Sequence, residues 1–169
     1  NSIASGGNYN VVIGDEAGTA LTTGDSNTAL GFEALKTENA HGLNTAIGYQ
    51  ALKVMDAGAD GYTTAVGYLT GVKITTGIRN SLFGAGTGDE LLTGSDNTAF
   101  GAFALSTDTA GSKSTAFGYA SLNAQVFSSA TDSYNVAVGY HSGLALTTGI
   151  QNTLIGGLAG DALSDADFN

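Results

Sequence analysis

The sequence of 169 residues contains no cysteine and no proline, and only 12% of its residues are charged. The lack of cysteine excludes disulfides and thiolate metal sites. The lack of proline, beside 26 glycines, excludes collagen and proline-rich linkers and favours tight, repeated turns in which glycine holds fixed positions. Because 42% of the residues are hydrophobic, the sequence is not that of a charge-rich disordered chain.

Basic residues are also few. Five Lys and Arg stand against 15 Asp and Glu, for a net charge of −10, and a chain of that sign repels nucleic acid and anionic lipid headgroups. We therefore expect no nucleic acid partner. No apolar run reaches the length of a membrane span, so we also expect no membrane insertion. No signal peptide is recognisable. The first residue is Asn1 rather than Met, so we expect a processed or excised piece of a longer protein.

A five-residue unit ending in glycine recurs nine times, for example as NTAIG at Asn44–Gly48 and NTAFG at Asn97–Gly101. The anchor glycines that end these units are Gly14, Gly31, Gly48, Gly67, Gly84, Gly101, Gly118, Gly139 and Gly156. Six of the eight intervals between anchor glycines are 17 residues, while the third is 19 and the seventh is 21. A period of 17 is too short for helical repeats or propeller blades, which need about 33 residues or more.

A longer repeat of four coils is superimposed on the 17-residue repeat. The residue four positions after the anchor glycine runs as glycine, leucine, leucine and glycine, and the pattern then begins again. We therefore interpret residues 1–169 as a single repeat domain with four-coil super-repeats at about 14–83 and 84–155 and a partial third copy at 156–169.

The extra residues of the two long intervals, around Ala57–Tyr62 and Gln125–Ser133, fall on the same coil of each super-repeat. They are expected to form outward loops on one side of the molecule and to carry any receptor contact.

The period predicts an all-β chain that forms a parallel β-solenoid of about nine 17-residue coils. Each coil is expected to contain two short strands and two turns and to stack about 4.8 Å above the previous coil, which gives a rod about 43 Å long. The anchor glycines are expected to stack in one column, because close packing between strand and turn leaves little room for a Cβ.

Alternation along each strand divides its side chains between two faces that are both poor in charge. The bulky column consists of Ile13, Leu30, Ile47, Val66, Phe83, Phe100, Phe117, Val138 and Ile155. The opposite column is mostly alanine. We expect the bulky column to form the core and the other apolar face to meet further copies of the chain, because a thin solenoid has only one interior. Three chains around an axis are the expected closed form.

Asparagine begins most of the repeat units. The column consists of Asn27, Asn44, Asn80, Asn97, Asn135 and Asn152, and it is interrupted by Thr63 and Ser114. Two interpretations remain open. The side chains form a stacked amide ladder, or asparagine simply begins the strand after a turn, where it tolerates unusual backbone angles.

Units such as NTAIGYQAL at Asn44–Leu52 and NTAFGAFAL at Asn97–Leu105 resemble a repeat of bacteriophage tail-fibre proteins and related bacterial surface proteins. More loosely, they are similar to the parallel β-roll heads of trimeric autotransporter adhesins. The resemblance extends from about Asn10 to Ala162. It implies a homotrimeric shaft that holds a receptor-binding tip away from the particle or cell.

Residues with catalytic or metal-binding potential are scattered. His41 and His141 occupy unlike positions of the repeat, which predicts exposed turn residues and no metal pair. The acidic pairs Asp15–Glu16 and Asp89–Glu90 lie at glycine-rich turns and leave calcium as a less favoured alternative. Neither a nucleophile elbow nor a phosphate loop is present. We therefore predict no catalytic residue, no cofactor and no metal, and a chain that is not an enzyme.

Aromatic residues directly follow several anchor glycines. They are Phe32, Tyr49, Tyr68, Tyr119 and Tyr140. Such rings can stack on the sugars of a cell-surface glycan. Because they share a face with the bulky column, packing against that column is the preferred interpretation.

The leading functional hypothesis is a structural and adhesive shaft of an extracellular or virion fibre that supports host or surface attachment. A second hypothesis is an ice-binding solenoid with a hydroxyl column formed by Thr28, Thr45, Thr64, Ser81, Thr98, Thr115 and Thr153. The apolar column beside these hydroxyls favours burial over ice. A third hypothesis is a tailspike-like domain that binds or degrades polysaccharide. Degradation needs paired carboxylates in a groove, and the acids here are scattered over turns.

Overall fold

The structure is a computed structural model that describes residues 7–169, so the start of the predicted domain lies outside the described residues. Nine three-residue strands form one parallel sheet in which each strand pairs with the strands of the neighbouring coils. They are β1 (Val11–Ile13), β2 (Thr28–Leu30), β3 (Thr45–Ile47), β4 (Thr64–Val66), β5 (Ser81–Phe83), β6 (Thr98–Phe100), β8 (Thr115–Phe117), β10 (Val136–Val138) and β11 (Thr153–Ile155). The described residues contain no helix. The predicted all-β parallel solenoid of about nine coils is confirmed.

The prediction of two strands in every coil is wrong. Among residues 7–169, a second strand occurs only as β7 (Gly111–Ser112) and β9 (Thr131–Asp132), which pair with each other in parallel. Elsewhere the second wall of the coil consists of turns. The amides of these turns still bond to the next coil, as from Leu35 N to Ala51 O at 3.0 Å. Hydrogen bonds between coils therefore do not require a second regular strand.

The turns close the coil because four equivalent positions in each of the nine coils have a positive φ, to which the third coil adds Gly58. In the second coil these are Gly31 at 134°, Glu33 at 53°, Leu35 at 48° and Leu43 at 64°. A left-handed conformation costs a residue with a side chain about 1–2 kcal/mol. Backbone hydrogen bonds to the neighbouring coils offset this cost.

The core lies on the alanine side of the strands, and the expected burial of the bulky column is wrong. The middle residue of each strand points inward, and Ala46, Ala65 and Ala99 are fully buried. The bulky column points outward, with Ile13 and Phe117 exposed by 59% and 50%. Six of the nine inward residues are alanine, which leaves room for the large side chains of the turns. The other three, Val12, Leu82 and Leu154, are larger and lie beside Gly18, Gly88 and Gly160.

The order of glycine and leucine along the super-repeat follows from how this interior is filled. Where the fourth residue after the anchor is leucine, its side chain is fully buried, as for Leu52 and Leu105. Where it is glycine, an aliphatic residue three positions later occupies the space. A Cβ on Gly71 would lie 2.9 Å from Cδ1 of Ile74 and 3.1 Å from Cδ2 of Leu52. Each coil thus contributes a large aliphatic side chain from at least one of these two turn positions, and the third coil contributes both Leu52 and Met55.

The two long intervals extend the chain without disturbing the sheet. Thr45 still pairs with Thr64, and Thr115 with Val136, in the register of the shorter coils. The residues 58–60 and 128–130 are exposed, as expected for surface loops. The predicted second loop nevertheless begins too early, because Gln125 is fully buried and forms part of the core.

Candidate functional site

The most extended candidate surface is the outer face, defined here as the first and third residues of the nine strands of the large sheet. None of these residues is charged. Ile155 is exposed by 69% and Leu30 by 41%, and Thr98 is also exposed. An apolar stripe that continues over nine coils is more than a soluble monomer usually presents to water. The outer face therefore has the character of a contact surface.

Aromatic rings stack from coil to coil in two columns, one on the outer face and one formed by residues that follow the anchor glycines. The Tyr49 ring lies 5.3 Å from the rings of both Phe32 and Tyr68, and the Phe100 ring lies 4.9 Å from Phe83 and 5.1 Å from Phe117. Within each stack the planes are nearly parallel, so the rings cover one another's faces. A sugar packs against the face of an aromatic ring. These stacks present mainly ring edges to solvent and are poorly arranged to bind a glycan by stacking.

The anchor glycines lie one above another along the rod. A Cβ built on Gly14, Gly48 or Gly118 would lie 2.2–2.4 Å from the carbonyl oxygen of the anchor glycine in the next coil. The backbone at these positions has φ near +135°, a region that residues with a side chain rarely adopt. Both the close approach and the dihedral angle require glycine.

The asparagines occupy a buried column but bond mainly to backbone. Oδ1 of Asn97 accepts a hydrogen bond from Ser114 N at 2.9 Å, and its Nδ2 donates to Gly111 O at 2.9 Å. Five of the six side chains join two coils and the two walls of one coil in this way, whereas Nδ2 of Asn44 is buried without a hydrogen-bond partner. This pattern differs from a simple amide ladder, although Asn152 does donate to Oδ1 of Asn135 at 3.2 Å. Neither open interpretation describes the whole network.

Most of the acidic residues singled out in the sequence already have partners. Glu16 forms an ion pair with Lys36, and Glu90 accepts hydrogen bonds from Lys73 Nζ at 2.6 Å. Oδ1 of Asp89 accepts one from the Ser106 hydroxyl at 2.8 Å. Because protein donors occupy these carboxylates, the geometry gives no support to a calcium site at either acidic pair.

One carboxyl group has a strongly shifted pKa. Hydrogen bonds from Lys36 and Lys53 lower the pKa of Glu33 to about 2. The Nζ atoms of these lysines lie 2.6 Å and 2.7 Å from the Glu33 oxygens. A general acid in glycoside hydrolysis needs a raised pKa. Glu33 is therefore unsuited to that role.

Sequence reasoning missed a polar network in the core. The fully buried Asp108 accepts hydrogen bonds from Gly111 N at 3.0 Å, Phe127 N at 3.1 Å and Gln125 Nε2 at 2.6 Å. Gln125 also accepts one from Asn135 Nδ2 at 2.8 Å and donates to Ser114 Oγ at 2.8 Å. The sequence did contain a signal for this network. The seventh residue after the anchor glycine is a leucine or isoleucine in five coils, whereas in the other four it is Glu38, Met55, Asp108 or Gln125.

The two histidines lie in different environments. His141 packs against Tyr140 with ring centroids 3.9 Å apart. His41 lies beside the fully buried Glu38, with its Nδ1 3.3 Å from Glu38 Oε1. The structure does not bring the histidines together, in keeping with their unlike repeat positions.

No protein-family model, curated protein or solved structure matches this chain. Across residues 7–169 there is no pocket. The same part of the chain has no helical segment with the length and hydrophobicity needed to cross a bilayer. The solenoid and its surfaces are therefore the features of the molecule that bear on its function.

Proposed function

We propose that the chain is a rigid shaft segment of an extracellular or virion fibre and that it supports attachment of the fibre to a host or surface. The observation that carries the proposal is the outer face, an uncharged and partly exposed apolar stripe that follows the rod over nine coils. Backbone hydrogen bonds between coils give the rod its stiffness. No catalytic step is part of this proposal.

The partners of the outer face are two further copies of the same chain, in a homotrimer. The chain has a net charge of −10, yet the outer face contains no charged residue. Association through this face buries the apolar stripe and leaves the acidic turns in solvent, where their repulsion is weakest. The number three follows from the resemblance of the repeat to trimeric tail-fibre shafts.

The oligomeric state is the first test. We expect light scattering or native mass spectrometry to give three times the mass of the chain at micromolar concentration. Substituting Phe100→Glu places a charge in the middle of the outer face, where Phe100 is 45% exposed. Because burying an unpaired carboxylate is strongly unfavourable, association should weaken by at least about 100-fold.

Leu92→Glu is the matched control, because Leu92 is 40% exposed but lies outside the outer face. This variant should remain trimeric. Circular dichroism checks that both variants keep the β structure. A wild-type chain that stays a soluble monomer at micromolar concentration would refute the trimeric shaft.

Ice binding is a second candidate, because the hydroxyl column lies on the outer face and is not buried. Thr98 and Thr153 are exposed, and Thr28, Thr45 and Thr64 are partly so. Measurement of thermal hysteresis separates the two candidates. A separation of freezing and melting points by the monomeric chain would favour ice binding over the shaft.

A further inference from the structure

A second cluster lies away from the outer face, where the second coil meets the third. Glu38 and His41 belong to one turn, and Asp56 belongs to the corresponding turn of the next coil. One oxygen of each carboxylate and one ring nitrogen of His41 all lie within 4.8 Å of one another. Glu38 is fully buried, His41 is partly exposed and Asp56 is exposed. The cluster is therefore closed on the inner side and open to solvent on the other.

The buried carboxylate of Glu38 is less well satisfied than its counterpart in the other super-repeat. Glu38 and Asp108 both stand seven residues after an anchor glycine. Asp108 receives a short hydrogen bond of 2.6 Å from Gln125. The residue equivalent to Gln125 next to Glu38 is Met55, whose thioether donates no hydrogen bond.

The hydrogen bonds that Glu38 accepts are 3.1–3.5 Å long, whereas those that Asp108 accepts are 2.6–3.1 Å long. Its Oε1 receives the amides of Asn39 at 3.1 Å and His41 at 3.2 Å and lies 3.3 Å from His41 Nδ1. Its Oε2 receives the amide of Ala57 at 3.5 Å. A fully buried carboxylate needs stronger compensation than this. A positive ion bound between Glu38, His41 and Asp56 would supply it.

The donor set indicates the class of ion. One imidazole nitrogen with two carboxylate oxygens suits zinc and similar divalent transition ions, whereas calcium and magnesium prefer oxygen ligands alone. In a tetrahedral zinc site with ligand distances of about 2.0–2.2 Å, neighbouring ligand atoms lie roughly 3.3–3.6 Å apart. The distance from His41 Nδ1 to Glu38 Oε1 is 3.3 Å. The exposed Asp56 side chain has room to move closer.

We propose that Glu38, His41 and Asp56 form a binding site for a divalent transition-metal ion. Zinc is the ion with which we test the site. The ion joins the second and third coils directly before the insertion near Ala57–Tyr62. The equivalent positions in the second super-repeat are Asp108, Gly111 and Val126, which cannot form this site. The two super-repeats thus differ in the partner of the buried carboxylate. For Asp108 the partner is the side-chain amide of Gln125, and for Glu38 it is the bound cation.

Titration calorimetry with zinc chloride on the full chain, after chelator treatment, is the direct test. We expect one ion per chain with a micromolar or lower dissociation constant, and no comparable binding of magnesium or calcium. Asp56→Asn removes an exposed ligand without touching the buried contacts of Glu38, and His41→Asn removes the nitrogen ligand. Each should weaken zinc binding at least about tenfold, whereas His141→Asn should leave it unchanged.

Two further measurements address structure and stability. In nuclear magnetic resonance spectra, the imidazole nitrogens of His41 should shift on addition of zinc while those of His141 stay in place. The thermal midpoint of the wild type should rise with zinc and return with a chelator. The site is overturned if zinc does not bind one to one, if calcium binds better than zinc, or if Asp56→Asn and His41→Asn bind zinc as the wild type does.

Discussion

Replacing Gly101 with alanine is expected to lower the free energy of unfolding by more than about 4 kcal/mol, a large share of the roughly 5–15 kcal/mol that keeps a protein folded. A Cβ at this position would lie 2.5 Å from the carbonyl oxygen of Gly118 and 2.6 Å from its carbonyl carbon. The backbone φ of +134° adds strain for any residue with a side chain. Neither the strand above nor the turn can shift without breaking hydrogen bonds between coils.

Gly156→Ala is the matched control for Gly101→Ala. Gly156 has a similar φ of +127°, but a Cβ there would meet only the Cβ of Ala159, at 4.0 Å. Its substitution should cost only the backbone strain, about 1–3 kcal/mol. Urea unfolding followed by circular dichroism measures both variants. Equal losses of stability would show that the dihedral angle, and not the contact between coils, makes glycine necessary.

The repeat of 17 residues was sufficient to predict the parallel solenoid because each coil must stack in register on the previous one. Thr45 pairs with both Thr28 and Thr64 across intervals of 17 and 19 residues. Side-chain direction was harder to predict. Ala46 and Ile47 are both apolar, and alternation alone does not say which of two apolar faces is inside. The answer depends on the leucines of the turns, whose inward position the strand pattern does not reveal.

The backbone conformation of the turns also could not be predicted from residue type. Glu33, Leu35 and Leu43 all have a positive φ, although none of these residues favours that conformation. Hydrogen bonds between coils impose it, and such contacts are visible only when the coils are stacked. The same holds for the cluster of Glu38, His41 and Asp56, since no spacing within one coil brings His41 and Asp56 together.

Asp108→Ala is expected to lower the free energy of unfolding by about 3–5 kcal/mol. The substitution leaves two buried backbone amides, those of Gly111 and Phe127, without the acceptors that lie 3.0 Å and 3.1 Å away. It also removes the acceptor of Gln125 Nε2 at 2.6 Å. A buried donor left without a partner costs about 1–3 kcal/mol, because it has also lost its hydrogen bonds to water. Chemical denaturation of the purified variant measures the loss.

Asp89→Ala provides the comparison within the same region of the rod. Asp89 is partly exposed, and its carboxylate accepts one hydrogen bond from Ser106 Oγ, at 2.8 Å. Water can replace the carboxylate as the partner of that hydroxyl, so this substitution should cost less than about 1 kcal/mol. Losses within 1 kcal/mol of each other would contradict the role assigned to Asp108. A large difference would show that this coil is held together by a buried carboxylate in the place where five other coils have an aliphatic side chain.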